Sequence, residues 1–354
     1  MQIILTVLAV ALAAASLTPL VRHDAWWVRT FDFPVLQIFA LGAIVMMAYP
    51  LLVGTVTWWG GGVLALLAGT LLLQAYRFLP FTKLWPKQVA TAARGTRAPS
   101  VSIVVANVLM SNRRADELIK IVREWNPDLV LTLEPDDWWE RELRVLEADY
   151  PHTVKAPLDN RYGMLLHSRL ELIAPEVKHL ISDEFPSMHM RLRLPSGDEV
   201  WLHCLHPEPP APTEADESTR RDAELLIVGG EVKDRDEPTI VTGDLNDVAW
   251  SHTTTLFQKI SGLLDPRKGR GMFNTFHAEY PFLRWPLDHV FHSDHFTLAR
   301  MARLPAFGSD HFPVYAKLVL EAGAEARQDE AEADSEDHEL AEEKIAAVDQ
   351  QESM

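Results

Sequence analysis

The sequence predicts a mixed α/β domain, its mixed β-sheets covered by helices, carried behind three transmembrane helices. Three observations predict it. The first eighty residues of 354 hold three nearly uncharged stretches. From about residue 98, β-branched apolar runs alternate with stretches of helical spacing. Finally, two such runs flank Pro195-Ser196-Gly197-Asp198, a hairpin turn that a purely parallel doubly wound sheet would not contain.

Residues 3–20, 34–54 and 58–75 are each close to the ~20 residues a helix needs to cross the hydrocarbon layer. Trp26-Trp27 and Trp58-Trp59 stand at span ends, where indole rings favour the headgroup zone. The first stretch has no Lys or Arg before it and two spans follow, so it reads as a retained helix rather than a signal peptide. Arg22 and Arg29 follow span one, and Arg77, Lys83, Lys87, Arg94 and Arg97 follow span three, while the tight connection near Val56 has no basic side chain. The positive-inside rule then places the N-terminus outside and the large domain in the cytoplasm of a multi-pass, bacterial-type inner membrane protein.

Charge divides the rest. The chain carries a formal net charge of −17, and residues 321–354 hold thirteen acidic side chains against two basic ones. Residues 98–320 are also acidic, with 35 Asp/Glu against 24 Lys/Arg. A domain that grips long nucleic acid by its backbone shows the opposite sign. The 321–354 tail has too little apolar surface to offset its ordering entropy and reads as an acidic, disordered appendage. The single cysteine, Cys204, excludes an intrachain disulfide and a thiolate zinc site. The expected organisation is a three-span region (1–80), a basic juxtamembrane linker (81–97), a large mixed domain (98–320) and the tail.

Within that domain 101–108 reads as a strand, 115–125 as a helix and 128–133 as a strand after the turn pair Asn126-Pro127. Residues 162–167, 188–194, 199–205 and 239–242 read as further strands, with a helix beginning at Thr219. Ser251 is a cap for a helix to about Ile260, and 287–291 and 312–319 supply late strands. There is no internal repeat.

Five places end an apolar run with a group able to handle metal or phosphate: Asn107, Glu134, His206, Asp244 with Asn246, and the late set Asp288, Asp310 and His311. One Asn or Asp at a strand end is ordinarily a turn former; recurrence carries the signal. In this order, with Gly243-Asp244-Leu245-Asn246 and Ser309-Asp310-His311 as the specific elements, the set resembles the endonuclease/exonuclease/phosphatase superfamily, which includes abasic-site endonucleases, deoxyribonuclease I, inositol polyphosphate phosphatases and neutral sphingomyelinases. The resemblance covers roughly residues 100–320. It implies a four-layer sandwich of two mixed sheets flanked by helices, and divalent-metal-dependent phosphoester hydrolysis, with Mg²⁺ as the usual ion and Mn²⁺ a substitute.

The resemblance also implies roles. Glu134 and Asn107 would ligate the metal through hard oxygens, with Asp136 and Asp137 as rival ligands. Asp244 would orient or deprotonate water, and Asn246, beside it if the extended geometry persists, would donate to a phosphate oxygen. Asp288 would fix His311, His206 would contact phosphate, and Asp310 would handle metal or leaving group. Asp247 reads as turn chemistry, His203 as a polar surface residue and His289 as support. Arg161-Tyr162-Gly163 reads as architectural. Trp138, Trp139, Trp250, Phe273, Phe276 and Trp285 are aromatics that could meet a base or an acyl chain. No GxSxG, GK[ST] or HExxH pattern supports another enzyme class.

The expected partners are the bilayer and a phosphoester from a nucleic-acid end, a nucleotide or a lipid headgroup. The leading reading is phosphodiester hydrolysis with nuclease-like chemistry. The alternative is a lipid phosphodiesterase or phosphatase, sphingomyelinase-like or inositide-directed, and a catalytically decayed membrane-anchored binding protein stands third.

Overall fold

The computed structural model describes residues 1–53 and 57–352, so the tight connection near Val56 lies outside the described residues. Three helices are long and apolar enough to cross a membrane: Gln2–Leu20, Val35–Val53 and Trp58–Phe81. Their regular helical parts are α1 (Gln2–Leu17), α3 (Val35–Val53) and α4 (Trp58–Phe78), with the short α2 (Trp26–Arg29) between the first two. The three spans pack on one another through Ala9, Val45 and Leu67, while Ile3, Val7, Leu41, Ile44 and Leu72 point outward. Outward apolar side chains are what a lipid-facing surface requires.

The catalytic-domain expectation becomes two sheets. The first has the order β10-β11-β1-β2-β4-β3, built from β1 (Ser100–Asn107), β2 (Leu129–Leu133), β3 (His152–Ala156), β4 (Met164–Ser168), β10 (Phe296–Arg303) and β11 (Val314–Leu320). The second has the order β5-β6-β7-β8-β9, from β5 (Glu171–Lys178), β6 (Ser187–Arg193), β7 (Glu199–Leu205), β8 (Thr239–Asp244) and β9 (Asp288–His292). Each sheet is mixed: β1 runs parallel to β2 and β7 to β8, and the other pairs are antiparallel.

Alternate side chains explain the layering. Ile103, Val105, Leu131 and Leu166 meet Met190, Leu202, Ile240 and Val290 between the sheets. The opposite face of the first sheet, with Val104, Ala106 and Val130, packs on α5 (Ala115–Trp125) and α6 (Asp137–Leu143). That of the second, with Val241 and Phe291, packs on α7 (Thr219–Arg235) and α8 (His252–Ser261). The central strands are therefore apolar on both faces, which is why they read as continuous runs. The result is the four-layer sandwich.

Two expected boundaries change. Residues 81–97 do not form a free linker: Val89 is fully buried in the intersheet core, and Ala92 N donates to Leu298 O (3.0 Å) while Leu298 N donates to Ala90 O (2.9 Å), strapping the segment onto edge strand β10. Within the described residues, most of the tail forms a helix. Helix α9 (Ser335–Glu352) lays Leu340, Ala341 and Ile345 on Leu226, Leu256 and Ile260, and Lys344 Nζ reaches Asp24 (2.7 Å) and Asp222 (2.8 Å). Its few apolar side chains share one stripe, so composition understated what they could bury.

Candidate active site

All of the site positions fall at one edge of the sandwich. Asn107 ends β1, Glu134 follows β2, His206 follows β7 and Asp244 ends β8. Asp288 opens β9 directly opposite Asp244 because that pair is antiparallel, and Asp310 and His311 precede β11, the antiparallel neighbour of β1. Parallel pairs deliver their carboxyl ends to the same side.

Two glycines make the approach possible. A Cβ on Gly163 would run into the Pro135 carbonyl, and Gly163 O accepts from Glu134 N (2.9 Å). Gly243 lies against the Leu205 carbonyl and has φ +147°, a conformation an L side chain rarely adopts. The Arg-Tyr-Gly and Gly-Asp-Leu-Asn stretches thus hold Glu134 and Asp244 through backbone contacts.

The side chains form one chain of hydrogen bonds and an ion pair. Asn107 Nδ2 donates to Glu134 Oε1 (2.8 Å) and lies 3.2 Å from Asp244 Oδ2. Asp244 Oδ2 is 3.5 Å from His311 Nε2, and His311 Nδ1 is 2.8 Å from Asp288 Oδ2. Ser309 Oγ donates to Asn107 O (2.8 Å) and accepts from His311 N (3.0 Å), fixing the histidine to β1. The strand does not continue past Asp244: Asn246 has φ +51°, its N–H donates to Asp244 Oδ1 (3.0 Å) and its amide donates to Pro207 O (2.9 Å). The expected side-by-side presentation of Asp244 and Asn246 is replaced by a turn in which Asn246 braces Asp244.

Burial and charge set the protonation states. Burial alone would lower His311, but the Asp288 and Asp244 carboxylates raise it to about 10. Burial opposes ionisation of Asp244, and His311 and His206 outweigh it and hold the group below its ordinary value. Burial raises Asp288, against the pull of His311. The balance favours a protonated His311 beside an ionised Asp244. Glu134 is raised by burial, partly offset by His206 and the Asn107 hydrogen bond. Burial lowers His206.

These states bear on where a cation would sit. Asp244, Asp288 and His311 bring their donor atoms within 4.8 Å, yet a protonated imidazole between two carboxylates already supplies the positive charge. Glu134 is a largely buried carboxylate whose burial the His206 and His311 imidazoles offset only in part; Asn107 Nδ2 donates to it while Asn107 Oδ1 accepts from Leu109 N (2.9 Å), so the Glu134 oxygens suit a hard divalent ion and Asn107 would join them by turning its amide. Buried His206 Nδ1 and Asp288 Oδ1 have no hydrogen-bond partner among the described residues, the condition of groups that await a ligand.

Other expected residues take defined places. Asp136 caps α6 by accepting from Trp139 N (2.9 Å) and pairs with Arg113 (2.7 Å), so its oxygens are engaged. Asp310 O accepts from Ala278 N (2.6 Å), and its carboxylate lies beside Ser309 Oγ (3.4 Å). Asp247 accepts from Ser251 and Thr254 at the start of α8. His289 Nδ1 accepts from Arg267 (2.6 Å), so its Nε2–H donates to Asp247 O (2.9 Å), and burial beside Arg267 lowers it to about 3. Trp139 and Trp250 are buried, whereas Phe276 lies on the His311 ring with centroids 5.0 Å apart.

Sequence reasoning missed Arg267 and Thr275. Fully buried Arg267 grips Asp265 and donates to His289, and Thr275 Oγ1 accepts from Asp288 N (3.3 Å). Nothing local to Asp265-Pro266-Arg267 signals its burial. His203 also differs from expectation: it faces away from the intersheet core but is fully buried. Its Nδ1 is 2.7 Å from His189 Nδ1, and Glu231 completes a second cluster.

The family model described as "Endonuclease/Exonuclease/phosphatase family" matches residues 104–311, more than half of the chain. The chain belongs to the endonuclease/exonuclease/phosphatase family. Its fold is similar to that of an endonuclease/exonuclease/phosphatase from Beutenbergia cavernae (TM-score 0.51, 18% identity, 63% of this chain and 72% of that one). It is also similar to D. rerio TDP2 complexed with a single-strand DNA product (0.52, 18%, 62% and 98%) and to the human Nocturnin catalytic domain with bound sulfate (0.51, 16%, 63% and 94%). Among curated proteins no sequence matches. At these identities the likeness establishes the fold of this family member, not its substrate.

Proposed function

We propose that this family member is a membrane-anchored, Mg²⁺-dependent hydrolase of a phosphodiester, with residues 98–320 as the hydrolytic unit. The observation that carries the reading is the continuous chain Glu134–Asn107–Asp244–His311–Asp288 at one sheet edge. Asp244, ionised and braced by Asn246, orients the attacking water. His311, kept protonated against Asp288, donates to a non-bridging oxygen and supports the charge that develops on it. His206 contributes its unpartnered Nδ1 to the phosphate, and Asp310 handles the leaving group or the metal. A divalent ion held by Glu134 and Asn107, Mg²⁺ or Mn²⁺ in its place, would supply Lewis-acid polarisation of the phosphoryl group.

The catalytic domain is assigned to the cytoplasmic side. The basic residues between the first two spans and after the third all lie at its end of the helices, as the positive-inside rule requires. The single-strand DNA product on D. rerio TDP2 favours a nucleic-acid end as one substrate class, against which stands the acidity of residues 98–320. The test is turnover by full-length protein in detergent, with Mg²⁺ or Mn²⁺, on single- and double-stranded DNA, RNA, phospholipids, inositol phosphates and bis(p-nitrophenyl) phosphate. Loss of metal-dependent turnover in Asp244→Asn and His311→Ala supports the assignment, and undiminished turnover in both contradicts it.

A further inference from the structure

The catalytic centre lies against the membrane helices. Phe276, on the His311 ring, stacks on Trp285 (centroids 6.2 Å), which meets Phe33 edge-on (5.6 Å), and Phe33 lies two residues before α3. The segments that carry site residues join the same apolar cluster: Val248 and Trp250 follow Asn246, Leu287 precedes Asp288, and all pack with Phe39 and Phe78 of the spans. Trp250 Nε1 also donates to Asp32 O (2.8 Å) in the connection before α3. The site is thus three ring contacts from the start of a membrane span.

Between Phe276 and Trp285 the chain makes a closed loop. His277 N donates to Leu283 O (3.0 Å) and Leu283 N to Tyr280 O (3.0 Å). Its tip is outward and, Glu279 apart, apolar: Phe282 is 86% exposed, Tyr280 54% and Leu283 48%. The tip is also fixed in height, because Gln37 Nε2 donates to Phe282 O (2.7 Å) and Gln37 sits in the first turn of α3. Leu84 and Trp85, just beyond the third span, are exposed at the same end of the bundle. Apolar exposure of this kind marks an interaction surface, and the Gln37 bond sets the tip beside α3, one and two turns before the outward-facing Leu41 and Ile44.

We propose that the 277–285 loop is a membrane wedge: Tyr280, Phe282 and Leu283 enter the headgroup layer of the adjoining leaflet, and the phosphoester cleaved at His311 is carried by a lipid of that leaflet. The proposal rests on the phosphoesterase reading above and names its substrate class. The loop root is tied to the site, since Ala278 N donates to Asp310 O and Arg284 donates to Ala278 O (2.9 Å) while lying over Phe312. A soluble substrate would gain nothing from this arrangement. A lipid phosphoester would meet the site at a height the wedge sets.

Two measurements on the full chain test it. Cys204 is fully buried, so a spin label on Phe282→Cys in phosphatidylcholine/phosphatidylglycerol nanodiscs reports one position, with Val177→Cys on the opposite sheet edge as the aqueous control. The wedge requires the label at 282 to favour oxygen over a water-soluble nickel quencher and the label at 177 the reverse; aqueous behaviour at both overturns it. In the second, Phe282→Asp/Leu283→Asp should keep hydrolysis of bis(p-nitrophenyl) phosphate within about twofold and lose at least about tenfold on vesicles of phosphatidylcholine, phosphatidylethanolamine and phosphatidylglycerol. Equal rates for variant and wild type on vesicles overturn the wedge. A wild type that cleaves the soluble diester but no vesicle lipid overturns the lipid assignment and leaves the phosphoesterase reading standing. A wild type that cleaves neither ends both.

Discussion

Two clusters of similar composition draw on strands of the second sheet, Asp244/Asp288 completed by His311 from the segment before β11 and His189/His203 completed by Glu231 from α7, and their surroundings differ in the respects that matter for catalysis. The first stands at strand ends, where polar atoms meet the edge of the sandwich. The second stands mid-strand beneath α7, flanked by Lys178 and Arg235, whose guanidinium is 3.4 Å from His203 Nε2, while Glu231 pairs with Arg235 (3.1 Å). Carboxylates raise His311 to about 10, whereas burial, with Lys178 and Arg235 adding to it, lowers His189 to about 3. The same side-chain types thus give a charged, partly unsatisfied site in one place and a neutral, closed pair in the other. Position along the strand and the sign of the neighbouring charge separate them.

The largest effect that sharpens this contrast is on turnover. Asp244→Asn and His311→Ala should each lower kcat by about 10³-fold while the thermal midpoint stays near wild type, since removing a positioned proton-handling or oxyanion-binding group costs about 10² to 10⁴. His189→Ala should leave kcat within about twofold, and equal losses at both clusters would erase the distinction. Next, Glu134→Gln should raise the Mg²⁺ concentration for half-maximal activity by about tenfold or more, read from a metal titration. The same titration on His203→Ala should not move.

Stability should respond in the opposite sense. His203→Ala leaves His189 Nδ1 buried without its 2.7 Å partner, so unfolding in detergent should show a loss of about 1–3 kcal/mol. A further effect concerns pH. Burial raises Glu224, on α7, to about 8 from 4.5. The folded state therefore holds that proton more tightly than the unfolded state, and the contribution is complete below about 4.5 and lost as pH rises toward 8. Glu224→Gln should flatten the thermal midpoint across that window, whereas an unchanged slope would remove Glu224 as its source.

The contrast also explains what was legible in the sequence. The central strands and the capped helix α8 were readable because burial on both faces, or a Ser251 cap that accepts from Thr254 N (2.9 Å), leaves a local signature. β3, β5 and β10 were not, and all three are edge strands: β5 contains Pro175 with a register shift between Ile173 and Glu176, and β10 shifts between Leu298 and Arg300. At the site, strand-end polar residues could be found because each interrupts an apolar run. Arg267, Thr275 and the burial of His203 depend on what packs over them from distant segments, and α9 depends on a stripe of three apolar side chains meeting α7 and α8. Neither leaves a mark at its own position.

The central claim is that the strand-end chain from Glu134 to Asp288 is a metal-dependent phosphoester hydrolase. Its most direct test is hydrolysis of bis(p-nitrophenyl) phosphate by purified full-length protein, titrated with Mg²⁺ after chelation, beside Asp244→Asn purified in parallel. The account predicts saturable, metal-restored turnover in the wild type and about a 10³-fold lower rate in the variant at saturating metal. Turnover indifferent to the metal, or retained by Asp244→Asn, would contradict it.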